Sequence, residues 1–297
     1  MRAVIVIGGS GFFGSAVIRQ LHNKGYEIYA VQNKSIIDSK DDISVITGGI
    51  NGLTAKRINE INPVAIFHCA RPTFPYFRKL GRSIAAFKAS RLNNYLLRQI
   101  EKSGIIAPLL FASGSLCYGN SINAHDEKSP LAPISYARQY LRGELPIVRA
   151  SQKNNTPVII LRFPWLLGNG SWFSWFYLKN ISEKNIVPLF GNGENYMSLI
   201  DVDDAAKLMV KYSENKIEGG VYNIFSPIHK TQKEFALQVS THFDSEIVNY
   251  KKIYVNGLEV AAMEAFTSNI ILTSNYQEII KDFPFNNLTQ TLAKVKD

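Results

Sequence analysis

The chain has 297 residues, 46% of them hydrophobic and 19% charged, which suits a soluble globular protein of one large or two small domains. No apolar run approaches the ~20 residues of a membrane span, and the short first run, Ala3 to Ile7, is too brief for a signal peptide. A net charge of +9 calls for an anionic partner, either a nucleotide-linked ligand or nucleic acid, yet the basic residues form no block of five or six.

The two cysteines, Cys69 and Cys117, sit in apolar strand-like runs. They read as buried free thiols in a cytoplasmic protein, not as a disulfide or a metal site. The densest basic patch is Arg71, Arg78, Lys79, Arg82, Lys88 and Arg91.

Ala3 to Ile7 is a continuous apolar run and predicts a buried strand. Gly8, Gly11 and Gly14 follow at GxxGxxG spacing, then an amphipathic helix from Ser15 to Lys24 that ends at Gly25. A strand, a glycine turn and a helix in that order let a diphosphate rest against the first amides of the helix. A tight turn without a ligand is the blander reading. Tyr26 to Val31 predicts the second strand, with the polar stretch Gln32 to Asp42 after it. A carboxylate at the end of this strand would accept from an adenosine ribose and repel a 2′-phosphate. Gln32, Asn33 and Lys34 stand there instead, with no acid before Asp38, so the cofactor is expected to be NADP or NAD, with NADP favoured.

Ser44 to Thr47 predicts a third strand, Leu53 to Ile61 a helix, and Val64 to Ala70 a fourth strand carrying His68, expected as a core or strand-end histidine. A basic loop, Arg71 to Arg82, leaves the edge where open α/β sheets bind ligands, and Arg71 and Arg78 are candidates to meet a diphosphate. Ile84 to Lys102 predicts a long helix, Ala107 to Ala112 a fifth strand, and Ser113 to Asn120 a polar loop. A helix from Ser135 to Asn154, interrupted near Pro146, leads to a sixth strand, Val158 to Arg162. Strands alternating with helices predict a doubly wound parallel sheet of the Rossmann kind.

Beyond Phe163 the alternation loosens. Trp165 to Tyr177 is aromatic-rich, Gly191 to Asn195 a turn, and Ser198 to Val202 a strand before a helix over Asp203 to Ser213. Val221 to Ile224 returns to the sheet, and helices follow near Thr231 to Thr241 and Leu288 to Val295. The expected division is a dinucleotide-binding domain over 1–164 with 203–224, and a smaller substrate-binding lid over 165–202 and 225–297.

Taken together, these segments resemble the extended short-chain dehydrogenase/reductase family, the NAD-dependent epimerase/dehydratase group acting largely on nucleotide sugars. The likeness rests on Gly8, Gly11 and Gly14; on Ser113 with Tyr118 and Gly119; on Tyr136 with Arg138, Leu141 and Glu144; on Arg162, Pro164 and Gly168; and on Gly191 to Ala206. It implies cofactor contacts from Gly8, Ser10, Gly11, Phe12, Phe13, Gly14, Asn33, Lys34, Ala70, Arg71, Tyr136 and Phe163, and a dimer formed through two helices of the sheet domain.

The resemblance also implies a Ser/Thr, a Tyr and a Lys four residues after the Tyr. Here Tyr136 takes the Tyr position, Tyr140 stands where the Lys belongs, and Gly114 where the Ser/Thr belongs, flanked by Ser113 and Ser115. The acid expected after the third strand is replaced by Gly49. The catalytic candidates are therefore Tyr136, Ser113 and Ser115. Without the ammonium, oxidation of a sugar hydroxyl loses its base, while reduction of a ketone needs only a proton donor and suffers less. Arg138 and Arg142, offset by two and six from Tyr136 on a helix, point to other faces.

The expected function is an NAD(P)-binding enzyme that reduces, epimerises or dehydrates a nucleotide sugar or related small molecule. A non-catalytic dinucleotide sensor is the alternative. A nucleic-acid protein ranks last, for want of any recognition motif, and neither nucleic acid nor membrane is expected as a partner.

Overall fold

Ala3–Ile7 is buried at every position, as befits a strand covered on both faces, and forms β1. The computed structural model describes residues 2–33, 43–71, 78–153, 157–215, 217–226, 228–250 and 259–295. After β1 come α1 (Phe12–Asn23), β2 (Glu27–Val31), β3 (Ile43–Ile46), α2 (Ala55–Ile61), β4 (Ala65–His68) and α3 (Arg78–Ser103). Then follow β5 (Leu109–Gly114), α4 (Ser135–Ser151), β6 (Val158–Phe163), β7 (Trp165–Leu167), a π-helical turn (Ser174–Leu178), α5 (Lys179–Lys184) and β8 (Ile186–Phe190). The remainder is β9 (Tyr196–Asp201), α6 (Val202–Glu214), β10 (Gly220–Asn223), β11 (Ile228–Thr231), α7 (Gln232–Phe243), β12 (Glu246–Tyr250), α8 (Glu259–Thr267) and α9 (Leu288–Leu292).

The chain clusters into two compact units. The first holds Met1–Ser113, Gln139–Arg162 and Ala206–Tyr222. Among the described residues its sheet has seven strands in the order β10-β6-β5-β4-β1-β2-β3, parallel at every pairing from β3 across to β5. From β1 the chain steps outward to β3 and then returns to the other side of β1 to place β4. The strand order therefore reverses between β1 and β4, and the carboxyl ends of those two strands flank the crevice where such sheets bind ligands.

The expected interruption of the helix at Pro146 does not occur: α4 runs through it from Ser135 to Ser151. Proline removes one backbone donor, but Ile147 is fully buried beside it and Gly143 lies tight on α3, so packing outweighs propensity. A Cβ at Gly143 would stand 2.8 Å from the Cβ of Ala89. The expected basic loop is also shorter than read, because Arg78 to Arg82 already belong to α3.

His68 is 2% exposed, and its Nε2 lies 3.0 Å from the Asn93 Oδ1. The Asn93 amide nitrogen donates to the Gly143 carbonyl, so its oxygen is the acceptor and His68 carries its proton on Nε2. This chain ties β4 to α3 and α4. Burial pushes the His68 imidazole down to about 4, against a smaller opposing pull from its hydrogen bond to Asn93. A neutral histidine in the fold and a titrating one in the unfolded chain make stability full above about 6.5 and progressively lost as pH falls toward 4, by about 3 kcal/mol from this group. Urea melts of wild type and His68→Gln across that window should show a shallower acid loss in the variant; equal losses would remove the assignment.

The second unit comprises Gly114–Arg138, Phe163–Ala205 and Asn223–Asp297. It contains a three-stranded sheet, β11-β9-β7, and a two-stranded parallel one, β12-β8. Its core is aromatic: Phe173, Tyr177, Phe190, Phe235 and Phe266 are buried, with the Phe190 and Phe266 rings stacked at 4.4 Å. The aromatic-rich segment thus supplies β7 and a π-helical turn to a core, where the sequence shows no repeat. No helix of the described residues is long and apolar enough to cross a membrane.

Candidate functional site

The turn after β1 separates its glycines by role. Gly8 has a φ of +84°, and a Cβ there would lie 2.6 Å from the Ala70 nitrogen, so the ends of β1 and β4 approach too closely for any side chain. A Cβ at Gly14 would stand 2.0 Å from the Gly8 carbonyl oxygen. Gly11 is different: its φ of −84° suits any residue, and a Cβ would meet only the Gly8 oxygen, at 3.3 Å. Packing accounts for Gly8 and Gly14; close approach of a ligand accounts better for Gly11.

Ser10 and Gly11 are exposed, Phe12 is half-buried, and Phe13 and Gly14 are buried. Among the described residues α1 has neither a side-chain cap nor an acid in its first turn. The positive end of its dipole thus faces the exposed Ser10 and Gly11 without a side-chain cap, and the cradle fits a dinucleotide.

Asn33, past the end of β2, is exposed, and its Oδ1 would lie 3.4 Å from a Cβ at Gly49. Gly48 and Gly49 both have positive φ, 88° and 63°, a backbone conformation that favours glycine. Lys34 lies outside the described residues.

At the end of β4, the Arg71 guanidinium sits 4.2 Å from the centre of the Tyr140 ring. Arg71 is exposed, whereas Tyr140 is half-buried on α4. At the end of β5, Ser113 Oγ donates a 2.8 Å hydrogen bond to Glu144 Oε2, both residues being buried. Burial raises the Glu144 carboxyl above the usual range, while the Ser113 hydrogen bond and the charges of Arg71 and Arg162 pull it back. A single group of polar side chains therefore unites Arg71, Tyr140, Glu144, Ser113 and Arg162 at the carboxyl edge of the sheet. Glu144 was not among the residues singled out for the site, although Tyr136, Tyr140 and Glu144 recur every fourth residue on one helical stripe.

The other predicted residues belong to the second unit. Tyr136 is half-buried and packs against a cluster of Ile134, Ala137, Ala265 and Ile270, with Leu116 and Trp165 beside it. Ser115 is buried in the tight turn that follows β5, and Phe163, which ends β6, is buried as well. Tyr118 donates to Asn223 Oδ1 at 2.7 Å, and the amide of Asn223 donates to the carbonyls of His125 and Thr273. Glu127 receives the Asn223 and Asn275 backbone amides and the Ser274 hydroxyl, closing a network, buried at Tyr118 and Asn223 and open at Asn275, that holds the segment after Gly119 in place.

Among curated proteins, the chain is 24% identical over 272 residues to the ADP-L-glycero-D-manno-heptose-6-epimerase of Brachyspira hyodysenteriae, covering 83% of each. It is 21% identical over 243 residues to the dTDP-4-dehydro-6-deoxyglucose reductase of Escherichia coli, covering 75% of this chain and 76% of that one. Among solved structures, the UDP-glucose 4-epimerase of Thermotoga maritima with UDP-glucose superposes at a TM-score of 0.80 and 19% identity, over 99% of this chain and 97% of that one. The dTDP-glucose 4,6-dehydratase of Bacillus anthracis in complex with NAD gives 0.74 and 19%, over 99% and 95%. Residues 4–224 match one protein family, a stretch that runs from β1 through β10 and takes in the glycine turn, Arg71, Ser113 and Tyr136. With most of its length inside that match, the chain belongs to the NAD dependent epimerase/dehydratase family.

Proposed function

We propose that this chain is an NAD(P)-dependent enzyme that acts on a nucleotide sugar or a related small molecule, and that reduction of a carbonyl is the chemistry its side chains favour. The observation that carries the proposal is the exposed Gly11 at the uncapped start of α1, beside the strand-order reversal. The named activities of the relatives, epimerase, dehydratase and reductase, support the substrate class.

In this reading the turn from Ser10 to Phe13 at the start of α1 receives the diphosphate, with Gly8, Gly14 and Ala70 shaping the crevice. Asn33 and Lys34 face the adenosine end, and Phe163 and Arg71 the other. When bound, the dinucleotide supplies or accepts a hydride. Tyr136 gives its phenolic proton to the substrate oxygen, and Ser115 orients that oxygen. Ser113 directs its own proton to Glu144 and so offers only lone pairs to a ligand.

NADP is the favoured form, because Lys34 tolerates a 2′-phosphate. The protein is proposed to work in the cytoplasm, consistent with free Cys69 and Cys117. It is proposed to pair with a second copy through α3 and α4, where Leu80, Phe87 and Leu145 are exposed.

The test is calorimetry with NAD(H) and NADP(H), followed by turnover assays on nucleotide-sugar ketones and alcohols. Binding with ketone reduction is expected. Retention of no nicotinamide nucleotide would overturn the proposal, and tight binding without turnover would favour a sensor. Lys34→Asp should weaken NADP more than NAD; equal effects on both would remove the argument for the phosphorylated form.

A further inference from the structure

Arg71, the cation expected at the end of β4, has a partner that the sequence does not foretell. Arg71 leaves the carboxyl end of β4, and its guanidinium is laid over the ring of Tyr140 on α4 at 4.2 Å, inside the range where an aromatic face attracts a cation. The ring holds one face of a planar group that carries five donors around its edge. Among the described residues no hydrogen bond to that edge is seen, and Arg71 is exposed at the sheet edge that bears Gly8 and Ala70. Glu144, one turn beyond Tyr140, adds a carboxyl that interacts favourably with the same guanidinium.

We infer that Arg71 and Tyr140 act as a pair, with Tyr140 as the seat and Arg71 as the cation that binds the phosphate and ribose oxygens of the dinucleotide. The pair transfers the positive charge of this site from the helix to the strand end. Position 140 is then aromatic for a physical reason. A lysine there would place a second cation against Arg71 and remove the face that orients it, so the two residues are a matched exchange and not a simple loss. Arg142, two residues further along α4, is exposed and bonds Gln139, and cannot reach the same side of the helix.

This inference rests on the proposed dinucleotide site and adds the group that grips its ligand. The experiment is calorimetric titration of NADH and NADPH into wild type, Arg71→Ala, Arg71→Lys, Tyr140→Lys and the double variant Arg71→Ala/Tyr140→Lys, at two salt concentrations. Thermal melts of each serve as the folding control. Arg71→Ala should bind about ten- to a hundredfold more weakly, with a flatter salt dependence, because a charge-assisted contact is lost. Tyr140→Lys alone should also weaken binding, since it unseats Arg71. The double variant should bind more tightly than Arg71→Ala, the ammonium on α4 restoring the missing charge.

Wild-type affinity in Arg71→Ala, or a double variant no better than Arg71→Ala, would overturn the pairing while leaving the dinucleotide site standing. Failure of wild type itself to bind would instead remove the site and the pair together. Should Arg71→Ala melt early, Arg71→Lys decides: it keeps the charge but not the planar stack, so an affinity between those of wild type and Arg71→Ala is expected, and full wild-type affinity would count against Tyr140 as the seat.

Discussion

Gly14→Ala should destabilise the sheet unit by about 3 kcal/mol or more, seen as a fall in melting temperature of roughly 10 °C, whereas Gly11→Ala should melt within a few degrees of wild type. The contrast follows from what each new methyl would meet. At Gly14 it would lie 2.0 Å from the carbonyl oxygen of Gly8, a backbone atom with no rotamer to escape into. Gly8 cannot retreat either, because its oxygen accepts from the Gly11 amide at 3.0 Å and its α-carbon is held against Ala70. A loss of that size is a large fraction of the ~5–15 kcal/mol by which domains are stable. At Gly11 the methyl meets one oxygen at 3.3 Å and can be accommodated by a small shift. Its effect should fall on the ligand instead, with NAD(P) affinity reduced at least tenfold by a group placed where the diphosphate approaches. Melts and titrations on both variants check this. A stable Gly14→Ala or a fully binding Gly11→Ala would reverse the assignment of roles.

Tyr136→Phe should lower turnover by about 10²- to 10⁴-fold while leaving dinucleotide affinity near wild type, the loss associated with removing a positioned proton donor. Tyr136 is half-buried and packs on the cluster of Ile134, Ala137, Ala265 and Ile270, and phenylalanine preserves that packing, so the melting temperature should hardly move. The substitution thus separates chemistry from architecture. Full activity in the variant would show that the proton comes from elsewhere. Lost binding would recast Tyr136 as part of the cofactor cradle alone.

Much of the cofactor side was legible in the residues, for a local reason. A strand, a glycine turn and a helix are specified over a dozen neighbouring positions, and β1 spans Ala3–Ile7, the bounds its apolar run predicts. Period and glycine spacing act within an element, so α1, β2 and β4 could be anticipated to within a few residues. The strands β8, β11 and β12 could not. β8 contains Pro188, and β12 is only half-buried, so each exists as a strand only because the other lies beside it.

The polar group at the sheet edge was hidden for the same reason. Helical offsets compare Tyr136 with Arg138 and Arg142, its neighbours in the chain, and find no cation on its face. Arg71 reaches Tyr140 only because β4 and α4 meet in the folded unit, and Ser113 reaches Glu144 across 31 residues of chain. The sequence alone determined the turn, the strand that feeds it and the family to which they belong. The tertiary structure alone decided which charge stands beside which ring, because contacts between elements depend on strand order and helix packing, which no short window of residues encodes.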